Sequence, residues 1–351
     1  MTQGCALRMG GLRVRVESSS AALMAKLAAY FACFHDPAVE ARAEPAFTVT
    51  ALECAPPDLG LCFRGWPRGP GKAGDKEELA DIAGGRVVRD LRTGVQYLCG
   101  GGRRVVVGPC ARNDHRIAAF IASQIVGWRM DQGSSLCHAA AVVRGGAGLG
   151  ISARSGAGKS TLMLHLMSRG LSFCSNDRLL IGLRRDRAEM YGEPMLPRIN
   201  PGTALGNPDL GSVVSEERKA GLRALPLEDL WVLEEKYDVR VDRIYGPGRV
   251  QLAAPLAGLL LLSWDRKADQ PVRFERVNPR VRPDLLDRVK KPPGPLHLSG
   301  RAPWVVASNP MDSEPYLRVL DRVPVYEATG RTSFDAAVRF VLDRLLPTSA
   351  P

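Results

Sequence analysis

Between Leu149 and Gly170 the sequence reads LGISARSGAGKSTLMLHLMSRG. An apolar run, a glycine-bearing turn and an amphipathic run follow one another without a break. This order constrains the fold more than any other stretch: a buried strand must pass into a helix through a tight loop. Gly156 and Gly158 tolerate backbone angles closed to residues with side chains. The N–H groups of such a loop converge on one point, and a helix starting near Lys159 adds the positive end of its dipole. A phosphate group is the anion that such a cradle suits.

The spacing Ala153-x-x-x-x-Gly158-Lys159-Ser160 is the Walker A pattern with Ala in first place. It assigns ATP and Mg²⁺ as the bound species. Arg154, Ser155, Gly156, Ala157 and Gly158 line the cradle, Lys159 reaches the β- and γ-phosphates, the Ser160 hydroxyl ligates Mg²⁺, and Thr161 adds a phosphate contact. Transfer of a phosphoryl group also needs a residue to orient or deprotonate the acceptor. Asp177 follows the short apolar strand Leu171–Cys174, which places it at a strand's carboxyl end beside the loop. It is the candidate base, and a candidate Mg²⁺ ligand through water. Arg198 lies in a long loop, LPRINP, where a guanidinium can clamp phosphate or carboxylate. Glu189 and Glu193 are further acids within reach of a metal. The alternating charges of Lys236, Asp238, Arg240 and Arg243 read as a mostly solvated strand face.

Composition narrows the class. The chain has 351 residues, 45% hydrophobic and 24% charged, as a globular protein does, and aromatics are only 6%, so Leu, Val, Ile and Ala must fill the core. The net charge of +11 comes mostly from dispersed Arg without a long basic block, so no nucleic-acid partner is expected. Eight cysteines with no C-x-x-C pair fit reduced thiols in a cytoplasmic protein rather than a disulfide framework or zinc site. The N-terminus lacks a signal peptide's apolar core. The longest apolar stretch, Ala253–Leu262, contains Pro255 and falls short of the ~20 residues that span a bilayer, so no membrane segment is expected.

The patterns predict two regions. Residues 1–108 form a small α+β region, with strands at 11–16, 47–52, 86–91, 95–99 and 103–107, a helix over 18–34 and a Pro/Gly-rich loop at 56–76. Residues 109–351 form an α/β catalytic region. It contains a helix over 113–130, the strand–loop–helix at 149–169, a helix over 216–232, a buried strand at 256–263 and a closing amphipathic helix over 333–346. Residues 234–243 read as a strand, and 265–301 as a Pro- and Arg-rich connection.

His138, the strand pair after it, Ser155–Ser160, Arg169-Gly170 and Asn176-Asp177-Arg178 resemble the catalytic core of HPr kinase/phosphorylase. With PMLPRINP at 194–201, they are most similar to the HprK-related kinase B group. The resemblance covers about 136–202, and loosely 109–265. It implies an α/β P-loop core shared with ATP-dependent phosphoenolpyruvate carboxykinase. It also implies a role for His138 near the transferred phosphate, and for Asp177 as the base. The family has an Asp-Asp pair where this chain has Asn176-Asp177, and its Glu-Ile-Arg-Gly element has no counterpart here. The expectation is an ATP- and Mg²⁺-dependent kinase of a serine or threonine hydroxyl on a protein or peptide, with a homo-oligomer as an option because the founding family forms hexamers. A small-molecule kinase on the same core and a nucleotide-dependent ATPase or switch are the alternatives.

Overall fold

The structure is a computed structural model that describes residues 3–66, 75–226, 229–233, 235–298 and 311–347. These fall into two compact units, 3–132 with 292–298, and 133–291 with 311–347. Residues 67–74 of the expected 56–76 loop lie outside the described residues.

The first unit is built on an eight-stranded mixed sheet. Its order is Gln3–Met9, Leu12–Ser18, Phe47–Glu53, Arg103–Gly108, Gln96–Gly100, Gly85–Asp90, Glu77–Ile82 and Arg64–Gly65. Leu12, Val14 and Val16 alternate inward with period two. Ser20 caps the helix Ala21–Phe31 by accepting from the Leu23 N–H at 3.3 Å. The helix Asp114–Asp131 belongs to this unit. Phe120 stacks on Tyr97 with ring centroids 5.1 Å apart, and Arg116 meets the buried Asp90 carboxylate at 2.8 Å. The two units therefore divide at Gln132/Gly133, whereas the sequence reading divides the chain at 108/109. Periodicity gives the apolar face of this helix, and the sheet it packs on lies N-terminal to it.

The second unit holds a nine-stranded sheet. From one edge the strands are Ser172–Ser175, Ala139–Arg144, Ala147–Ala153, Ala253–Leu262, Arg187–Gly192, Leu179–Arg184 and Ser135–Cys137, while Val325–Thr329 pairs with Ala253–Leu262 and with Arg273–Arg276. Ala147–Ala153, the second half of Ala253–Leu262, and Val325–Thr329 run parallel. Leu259 to Leu262 are buried throughout, as in a strand covered on both faces. Each contributes about 1.5–3 kcal/mol of apolar burial. The unit is a mixed α/β fold.

Two expected elements differ. The helix over 216–232 ends at Arg223, and a separate turn of helix begins at Asp229, because Pro226 cannot continue the first. The strand expected over 234–243 is reduced to Tyr237–Asp238, followed by the short helix Val241–Ile244. Conversely, the Pro- and Arg-rich connection contains a strand at Arg273–Arg276 and a helix at Pro283–Val289.

Candidate functional site

Three chain segments meet at one end of the second sheet, and strand direction explains why. Ala147–Ala153 ends at the glycine loop. Ala139–Arg144 runs antiparallel to it with Ala139 opposite Ser152, so His138 stands beside the loop. Ser172–Ser175 is antiparallel to Ala139–Arg144, hence parallel to Ala147–Ala153, and delivers Asn176-Asp177 to the same end. The buried Ser152 hydroxyl fastens this end, 2.9 Å from the His138 carbonyl and 3.2 Å from that of Arg288.

The loop itself is held from below. Gly156 and Gly158 adopt φ of 80° and 98°, in the left-handed region. A side chain at Gly158 would meet the Phe334 ring at 2.8 Å. Trp264 Nε1 donates to the Ala157 carbonyl at 2.9 Å, and Phe334 packs edge-on against the same indole. From Gly158 the chain enters the helix Lys159–Met167. Its first N–H groups have no partner within the helix and are available to an anion. Thr161 is buried, and its hydroxyl bonds that of Thr203 at 2.9 Å, linking the helix to Pro201–Leu205. Ser160 is half-buried. Arg154 and Ser155 are exposed.

Lys159 is 7% exposed. Its Nζ lies 3.0 Å from His138 Nε2, 3.4 Å from the Ala153 carbonyl and 3.9 Å from Asp177 Oδ1. His138 Nε2 is also 3.0 Å from Asp177 Oδ1. One ring nitrogen cannot serve both neighbours at once. Carrying a proton it donates to Asp177; without one it accepts from Lys159. The other carboxylate oxygen of Asp177 accepts from Lys291 Nζ.

These contacts set the electrostatics. Burial lowers the Lys159 ammonium to about 8, opposed by the Asp177 charge and assisted by that of Lys291. Burial pushes the Asp177 carboxyl up, but the His138 hydrogen bond and the Lys291 charge outweigh it and hold the group below the usual carboxylate range. Glu193 lies next to this cluster. Burial raises its carboxyl, against the Arg178 guanidinium 3.2 Å away. The Asn176 Oδ1 is buried without a hydrogen-bond partner.

Of the residues the sequence singles out, the structure brings together the glycine loop, Lys159, His138 and Asp177. Arg198 is engaged by another partner. It is on the two-residue strand Arg198–Ile199, largely exposed, and pairs with Asp238 at 3.2 Å. Lys291, Trp264 and Phe334 are the additions. None belongs to a motif, and only their contacts identify them.

The residues fit a nucleotide phosphate group: a left-handed glycine loop, a free helix N-terminus and a buried ammonium point to one place. For Mg²⁺ the fit is Ser160 at the second position of the helix, with Asp177 through water. Mg²⁺ keeps most of its waters and needs few protein ligands. Among the described residues no group of three or more His, Cys, Asp or Glu is placed to hold a metal ion.

No family profile matches the chain, and no curated protein does. Among solved structures, the HPr(Ser) kinase/phosphatase from Coxiella burnetii is similar at 11% identity, over 60% of this chain and 94% of that one, with a TM-score of 0.32. No helix among the described residues is long and apolar enough to cross a membrane. All eight cysteines are free.

Proposed function

We propose that the protein is an ATP- and Mg²⁺-dependent phosphotransferase of the HprK-related type, acting on a serine or threonine hydroxyl of a protein or peptide in the cytoplasm. The observation that carries this reading is the gathering of Lys159, His138 and Asp177 within 3.0–3.9 Å at the mouth of the glycine loop.

Each residue has a separate task. The loop and the helix N-terminus hold the phosphates by backbone N–H groups, and Lys159 supplies the charge. Ser160 would hold Mg²⁺, and the ion would supply charge that offsets that of the phosphates. The acceptor oxygen forms the new bond to the γ-phosphorus while the bond to the β–γ bridging oxygen breaks and ADP leaves with that electron pair. Asp177 takes the acceptor's proton. Its low basicity is no obstacle, because the transition state is loose and the proton moves late. His138 Nε2, able to donate or accept, orients the carboxylate and the transferring group. The macromolecular acceptor is favoured by the resemblance of residues 136–202 to kinases of protein substrates.

Nucleotide binding tests the reading without an identified acceptor. Calorimetric titration with ATP and Mg²⁺ is expected to give a single site. Lys159→Ala should weaken it at least tenfold, since hydrogen bonds to charged groups contribute about 1.5–3 kcal/mol. Asp177→Asn should bind within a few-fold of wild type. Equal affinity for Lys159→Ala would remove the phosphate site from this loop.

A further inference from the structure

Lys291 follows the helix Pro283–Val289, and its position is fixed by backbone contacts. Its N–H donates to the Leu136 carbonyl at 3.1 Å, Lys290 bridges to Cys137, and the His138 N–H donates to the Val289 carbonyl at 2.7 Å. The segment carrying Lys291 is thereby fastened alongside the one carrying His138. The Lys291 ammonium reaches across to Asp177 Oδ2, while Oδ1 of the same carboxylate faces His138 and Lys159. Its side chain keeps 20% of its surface open, against 8% for Lys159.

Two ammonium groups and an imidazole thus share one carboxylate. Glu193, the other acid whose charge reaches Asp177 and Lys291, is engaged by Arg178 at 3.2 Å. The cluster holds more positive charge than its acids balance. Like charges crowded in a partly desolvated site raise its energy until an anion joins them. A phosphoryl group on the loop would stand next to Lys159, one carboxylate away from Lys291.

We propose that Lys291 is a second phosphate-binding lysine, which leaves Asp177 Oδ2 for the γ-phosphate of bound ATP. This rests on the phosphotransferase reading above. The movement brings a second cation to the group that gains charge in transfer, and it clears Asp177 Oδ2 of its ion pair.

The test compares ADP with the β,γ-imido analogue of ATP, each titrated with Mg²⁺ into wild type, Lys291→Gln and Lys291→Arg. The expected result is that Lys291→Gln weakens the analogue about ten- to hundredfold, the contribution of one charge-assisted contact, while ADP affinity stays within about twofold. The unchanged ADP affinity also shows that the variant is folded. Lys291→Arg should regain most of the loss. If Lys291→Gln binds the analogue as wild type does, or loses both nucleotides equally, the proposal is overturned and the phosphotransferase reading stands. If wild type binds neither nucleotide, both fall.

Discussion

The indole nitrogen of Trp264 donates to the Ala157 carbonyl at 2.9 Å, tying the glycine loop to the chain just beyond the long apolar strand Ala253–Leu262. This bond and the Phe334 ring under Gly158 fix the loop before any ligand arrives. A preformed cradle spends less binding energy on ordering itself. Trp264→Phe keeps the ring and removes the donor. It should lower stability by about 1 kcal/mol and weaken ATP about three- to tenfold, read by denaturant unfolding and calorimetry on the same protein.

Lys159 gives the site a pH signature. Its ammonium is the phosphate-binding form, and burial brings it to about 8. ATP affinity should be level near pH 7 and fall above pH 8 by up to about tenfold per unit, with proton uptake on binding in that range. The sign for folding is the opposite. A lysine lowered from 10.5 to about 8 binds fewer protons folded than unfolded between those values, so stability rises with pH there. The stability difference between wild type and Lys159→Met, followed from pH 8 to 10, should therefore move in favour of wild type while its ATP affinity declines.

Gly192 is the close approach that lets Arg187–Gly192 lie beside Ser172–Ser175. A Cβ there would run into the Cys174 carbonyl oxygen, which is backbone and cannot swing away. The Gly192 N–H also donates to Leu252 at 2.8 Å, pinning it from the other side. Gly192→Ala should cost ~3 kcal/mol of stability, measurable by urea unfolding. It should also disturb Asp177, two residues beyond the strand that must shift.

The legible part of this molecule is the part whose cause is local. Gly156, Gly158, Lys159 and Ser160 declare a loop by themselves, and two short strands on either side are enough to bring His138 and Asp177 to it. Lys291 could not be read in the same way. It sits in a run of Lys and Pro, and its approach depends on the bridge between Cys137 and Lys290, far apart in sequence. Trp264 and Phe334 reach the loop from separate elements for the same reason. The helix Asp114–Asp131 shows the converse limit: its apolar face is plain in the sequence, but Tyr97 and Asp90, which decide its unit, are not signalled by it. The helix expected over 216–232 runs through Pro226, although a proline disfavours helix at the residue before it, and that signal marks where the structure breaks it. Arg198, chosen by residue type from its loop, pairs with Asp238, a partner that its sequence context does not signal.

The central claim is that the cluster around Lys159 transfers the γ-phosphate to a hydroxyl on another protein. The direct measurement is incubation of the purified protein with γ-labelled ATP, Mg²⁺ and a lysate of its host, beside Lys159→Ala and Asp177→Asn. The account predicts a labelled protein or peptide band that disappears with Lys159→Ala. With Asp177→Asn the band should form about 10²–10⁴ times more slowly, the usual loss for a general base. Label confined to small molecules or to free phosphate, or a band that persists undiminished with Lys159→Ala, would contradict it.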